Sequence, residues 1–182
     1  HPTCILPAKL NNIPVRLLNT MQPEAPGTMI SNMTEKGKIK AVAAKDNITS
    51  IKIKSGRMLL ATGFLRKVFE IFESWKTPID MIATSEVAIS LTIDSTCHLE
   101  DIKKDLTKYG TIEVEESLSI ICIVGDCSIN NSGLAARALT ALEDIPLHMI
   151  SYGASEHSIS LLVKQADKQK ALEALSERLL NK

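Results

Sequence analysis

Two glycines that open apolar helical runs, Gly63 and Gly133, are the first residues of this chain whose type and spacing point to chemistry. An acid set inside an apolar strand, Asp80, and a repeated Ser-Glu pair, Ser85-Glu86 and Ser155-Glu156, complete the set. A helix start presents unbonded backbone N–H groups and the positive end of the helix dipole, which suits an anion such as a carboxylate. Glycine there lets a ligand come close to the backbone. The plainer alternative is an ordinary cap with Thr62 or Ser132 near it. Asp80 lies between Ile79 and Met81, where an acid costs energy unless it is paired. It suits a ligand ammonium, or else an edge position turned to water. His148 holds the corresponding place in the second copy, so the copies differ chemically. The Ser-Glu pairs read either as turn chemistry or as polar contacts to a ligand or a partner subunit.

These residues sit on a degenerate internal repeat. Gly63–Ile93 and Gly133–Val163 each carry a glycine, an apolar helical run, a proline, a Met-Ile pair, Ser-Glu and an alternating strand; both glycines precede the serine by 22 residues. The first copy reads as strand Ile48–Ile53, a helix with Leu65, Val68, Phe69, Phe72 and Trp75 on one face, and strands Ile79–Ala83 and Val87–Ile93. Helix Leu99–Tyr109, with Leu99, Ile102 and Leu106 inward, and strand Thr111–Glu115 follow. The order β-α-β-β-α-β is ferredoxin-like. The second copy reads as strand Ser119–Val124, helix Gly133–Leu142, strands His148–Ser151 and Ser158–Val163, and helix Lys168–Leu180 with Leu172, Leu175 and Leu179 inward. It lacks a final strand. The unassigned strand Ile39–Ala44, set off by a turn at Lys45-Asp46-Asn47, is the candidate to supply it. The fold class is therefore α+β, with the first module inserted into the second. The boundaries are 48–116 for the first, and 38–46 with 117–182 for the second. Residues 1–36 hold five of seven prolines and too little apolar periodicity for a core. Their start, HPTCILP, reads as strand or turn, Val15–Leu18 as a short strand and Met21–Gly27 as a loop.

Composition narrows the function. The 182 residues are 45% hydrophobic and 23% charged, as in a soluble globular protein. Twenty-one basic and 21 acidic side chains balance, which argues against a nucleic-acid or membrane-surface partner. No apolar run approaches the roughly 18 residues of a membrane span, and no signal peptide is visible. Cys4, Cys97, Cys122 and Cys127 form no C-x-x-C pair and no His stands at zinc-ligand spacing, so buried, reduced cytoplasmic thiols and no metal site are expected. His98, His148 and His157 are expected in surface or turn roles. Phosphate-loop, dinucleotide, metalloprotease and nucleophile-elbow motifs are absent, so no catalytic residue is assigned. Beginning at His1, the chain reads as a piece of a longer polypeptide.

Met58-Leu59-Leu60-Ala61-Thr62-Gly63-Phe64-Leu65 and Asp80-Met81-Ile82-Ala83-Thr84-Ser85-Glu86-Val87 resemble the regulatory region of aspartokinase, most of all the lysine-sensitive bacterial type with its N-M-L-x-x-x-G-F-L and V-D-L-I-T-T-S-E-V. Ile150-Ser151-Tyr152-Gly153-Ala154-Ser155 is similar to the family's I-x-Y-G-A-S, and residues 1–36 look like the end of the amino-acid-kinase domain. The resemblance implies tandem ACT domains in an enzyme that phosphorylates aspartate, with ATP and magnesium serving a kinase domain whose K-F-G-G motif is missing here. It implies a homodimer through the first module and feedback inhibition by an amino acid bound there. The effector residues it implies are Met58, Gly63, Phe64, Leu65, Ile79, Asp80, Thr84, Ser85 and Glu86. Backbone N–H groups near Phe64 and Leu65 would hold the carboxylate, Asp80 an ammonium, and Thr84–Glu86 would close the pocket or reach in from the partner. Lysine is the expected effector. Threonine, as in aspartokinases fused to homoserine dehydrogenase, and a ligand-free dimerisation module are the alternatives. Ala61 and Pro78 stand where the lysine-sensitive pattern has serines, which removes polar contacts.

Overall fold

The computed structural model describes residues 2–32, 36–56 and 62–180, in two compact units, 1–36 and 37–182. The smaller unit opens with a 3-10 turn, Pro2–Ile5, running into helix α1, Leu6–Leu10, where the sequence had read strand or turn. Pro7 explains the difference, because its fixed φ and missing donor suit a helix's first turn. Strand β1, Val15–Leu17, pairs antiparallel with β2, Thr28–Ile30. Helix α1 buries no residue, and Leu10, Leu17 and Met21 are exposed.

The larger unit is built on two long antiparallel strands, β3 (Ile39–Lys54) and β6 (Thr111–Gly125). The other elements are α2 (Phe64–Ser74), β4 (Ile82–Thr84), β5 (Ala88–Ile93), α3 (Leu99–Leu106), α4 (Leu134–Ala141), β7 (Met149–Ser151), β8 (Ser158–Lys164) and α5 (Lys168–Leu180). The sheet order is β4-β5-β3-β6-β8-β7. Of the long strands, β5 meets the Thr49–Lys54 part of β3, and β8 meets the Leu118–Val124 part of β6. The sheet therefore divides into two ferredoxin-like halves, the first inserted into the second, which share the long strands.

The expected turn at Lys45-Asp46-Asn47 is an irregularity inside β3, and the gap after Glu115 lies inside β6. Lys45 faces Ile120, Ile48 faces Leu118 and Ser50 faces Glu115. One extra residue thus sits first in β3 and then in β6, and the two bulges offset each other. Asn47 and Ser117 take φ of 59° there, a left-handed conformation that Asn tolerates well. Polar triplets that break alternation read as turns along the sequence, but the partner strand keeps each strand continuous.

Ile51, Ile53, Ile89, Leu91 and Ile93 pack with Phe64, Val68 and Phe72 of α2 and Leu99, Ile102 and Leu106 of α3. Leu65, expected on the inner face of α2, is 37% exposed, because the stripe centres on Phe64, Val68 and Phe72. Ile121, Ile123, Ile159, Leu161 and Val163 pack with Leu134 and Ala138 of α4 and Ala171, Leu175 and Leu179 of α5. Here Ala171 takes the fully buried place expected for Leu172, which packs at the rim. Alternate residues, Ile48, Leu118, Ile120 and Leu162, point away from these helices and join Met81 and Met149 in a third core. This third core ties the halves together around the bulges.

Candidate functional site

Gly63 is the N-cap of α2, with φ of 83°, and no side chain caps the helix. Gly133 does the same for α4 with φ of 80°. The alternative of a side-chain cap from Thr62 or Ser132 is not what the helices use: left-handed glycine makes the entry, and among the described residues no side chain bonds the first N–H groups. Phe64 packs edge-on against Tyr109 at 6.2 Å, whereas Leu65 faces outward. Met58, and Ala61 with it, lie outside the described residues.

Thr84, Ser85 and Glu86 form the end of β4 and the turn into β5. The Ser85 N–H and hydroxyl both donate to the Ala88 carbonyl, at 2.8 and 3.4 Å. In the second copy, Ser155 Oγ accepts the His157 N–H at 3.0 Å. Both serines therefore serve their turns, and Glu86 is exposed. The Val87 carbonyl accepts the Ser55 N–H at 2.8 Å, which ties this turn to the end of β3, where the chain leaves for Gly63.

Ile79 and Asp80 lie at the opposite end of β4. The Asp80 N–H donates to the Thr92 carbonyl at 2.9 Å, close to the end of β5 at Ile93, which Asp94 follows, and Ile79 packs beside the α2–α3 core. Ser85 lies five positions after Asp80, a span of roughly 16 Å in extended chain. Within one chain the implied effector residues therefore form two groups: Gly63, Phe64, Leu65, Thr84, Ser85 and Glu86 at one end, and Ile79 and Asp80 at the other.

The Asp80 carboxylate already has an ammonium partner, which no reading of the sequence supplied. Lys45 Nζ donates to Asp80 Oδ1 and lies equally close to Asp94 Oδ2, 2.8 Å from each. Hydrogen bonds to Asp80 and then Asp94 hold the Lys45 ammonium above its ordinary 10.5. The second copy has an imidazole at the place of the acid and an acid at the place of the lysine. The His148 N–H donates to the Leu162 carbonyl at 2.8 Å, just as Asp80 does to Thr92, and its Nδ1 lies 2.9 Å from Glu115 Oε2. Glu115 precedes the β6 bulge as Lys45 precedes the β3 bulge. His148 is thus half-buried and paired rather than a plain surface residue, while His98 stacks on Trp75 at 5.3 Å. The four cysteines are free thiols, but Cys4 and Cys97 are exposed, against the expectation of burial, and only Cys127 is fully enclosed. No helix among the described residues is long and apolar enough to cross a membrane.

The ACT-domain family model matches residues 121–179. The chain is 52% identical to a structure described as a C-terminal regulatory domain of aspartate kinase from Porphyromonas gingivalis W83, with a TM-score of 0.71, covering 78% of this chain and 97% of that one. Escherichia coli aspartokinase III, solved in complex with lysine and aspartate in a T-state, is 34% identical with a TM-score of 0.84, over 98% of this chain and 42% of that one. Aspartokinase 1, chloroplastic, of Arabidopsis thaliana is 35% identical over 96% of this chain. The chain spans 33% of that curated relative's length and 42% of lysine-sensitive aspartokinase 3 of Escherichia coli.

Proposed function

The chain belongs to the aspartokinase family and corresponds to its C-terminal regulatory part, and from that premise we propose that it binds L-lysine between two copies of its first module and relays feedback inhibition. In this reading residues 48–116 form the effector-binding ACT module, and residues 38–46 with 117–182 form a second, mainly scaffolding one. Residues 1–36 close an amino-acid-kinase domain, which uses ATP and magnesium to phosphorylate aspartate.

The observation that carries the proposal is the separation of the effector residues along β4. Strand β4 is an edge of the sheet, with no strand on its outer side among the described residues. A two-fold axis that pairs two such edges sets them antiparallel, so the Asp80 end of one copy meets the Gly63 and Ser85 end of the other. Each complete site then takes its carboxylate-binding N–H groups from one copy and its acid from the other. Lysine fits this pair of poles, because it carries a carboxylate at one end and a second ammonium at the other. Threonine has no second ammonium for Asp80. Binding across the interface favours one arrangement of the dimer, and the attached kinase domains follow that shift in population.

Calorimetry tests the proposal directly. The 182-residue chain is expected to release heat with L-lysine and none with L-threonine, and Asp80→Ala is expected to abolish the lysine signal while unfolding as cooperatively as the parent. Heat from threonine alone, or full lysine binding by Asp80→Ala, overturns it.

A further inference from the structure

Resting on the effector reading above, we propose that Lys45 is a built-in competitor for the effector's side-chain ammonium: it holds Asp80 when the site is empty and retreats to Asp94 when the site fills. Three observations carry this. First, the Lys45 ammonium lies 2.8 Å from both carboxylates, so one bond can be given up while the other is kept. Second, the cluster is open enough to exchange, with the Lys45 side chain 47% and the Asp80 side chain 25% exposed. An exposed bridge of this kind is weak, so a better-placed ammonium displaces it. Third, the second copy has no such device. His148 stands at the place of Asp80, Glu115 at that of Lys45, and Lys164, the last residue of β8, at that of Asp94. With an imidazole at the place of Asp80 and a lysine at that of Asp94, the corresponding position holds no pair of carboxylates to share an ammonium.

The position of Lys45 gives the exchange a structural consequence. Lys45 is the last residue of β3 that pairs with β6 before the bulge, and Ile48, on the other side, is fully buried in the core that joins the halves. The side chain that leaves Asp80 is therefore anchored at the joint between the modules. An effector that enters the first module thereby loosens one of its ties to the strand segment that belongs to the second. Asp46, next in the chain, bonds Ser119 Oγ and Lys168 Nζ of the second half and takes no part in the exchange.

Titration of the 182-residue chain with L-lysine and with norleucine, the same side chain without its ammonium, tests this. Lys45→Gln is expected to bind L-lysine about fivefold more tightly than the parent, with norleucine affinity unchanged. Asp94→Asn, which removes the retreat position, is expected to weaken L-lysine binding several-fold. Equal or weaker lysine binding by Lys45→Gln overturns the competition, and so does an equal gain for norleucine. No lysine heat from the parent chain or from either variant overturns the effector reading itself, which separates the two failures.

Discussion

At the scale of single residues, charge partners decide what each acid can do. Asp94 is held below its ordinary 3.8 by the hydrogen bond from Lys45, and Asp46 by those from Lys168 and then Ser119. A carboxyl depressed on folding adds stability that is present above the unfolded value and lost as pH falls through the lower folded one. Urea midpoints are therefore expected to hold steady down to about pH 4 and to decline below it. Asp94→Asn is expected to make that acid decline shallower, and an unchanged slope would remove Asp94 from the account. Lys45 works in the opposite sense: its raised value makes its contribution complete below 10.5 and lost only above it. Asp80 was legible in the sequence because an acid between Ile79 and Met81 demands a partner. The partner was not legible, because Lys45 lies 35 residues away in a triplet that reads as a turn.

At the scale of elements, the helices show where periodicity suffices. The inward face of α3, Leu99, Ile102 and Leu106, stands as the spacing predicts, and α5 spans Lys168–Leu180 as read. Helix α2 differs because Gly63 caps it and turns Phe64 onto Tyr109, which rotates the buried stripe away from Leu65. Phe72→Ala is expected to cost about 3–5 kcal/mol in urea unfolding, as for other enclosed aromatic side chains. Leu65→Ala is expected to stay within about 0.5 kcal/mol, as an outward-facing substitution does. Similar losses at the two positions would contradict this assignment of the face. The long strands are the other departure. A hydrophobic pattern broken at Asn47 or Ser117 looks alike whether the chain turns back or runs on through a bulge, and only the opposing strand distinguishes them.

At the scale of the whole molecule, the proposed site asks for a second copy. Sedimentation is expected to find the chain at twice its 19.9 kDa mass. Ile82, 43% exposed on edge strand β4, is the natural place to disturb that pairing. Ile82→Lys is expected to yield folded monomers with lost lysine binding, because a charge on an edge strand opposes strand addition. A dimer that survives this change would locate the contact elsewhere. The sequence by itself determined the repeat, the two β-α-β-β-α units and the place of strand 39–44 as the missing strand of the second, because alternation and helical spacing are local properties and a missing strand is a matter of counting. It also marked Gly63 and Asp80 as chemically unusual. Only the tertiary structure decided that the joints are bulges in continuous strands, that Gly63 and Asp80 sit at opposite ends of β4, and that Lys45 already holds Asp80. Those facts depend on register and on pairs of charges distant in the chain, and no local pattern records which residue of one strand faces which residue of another.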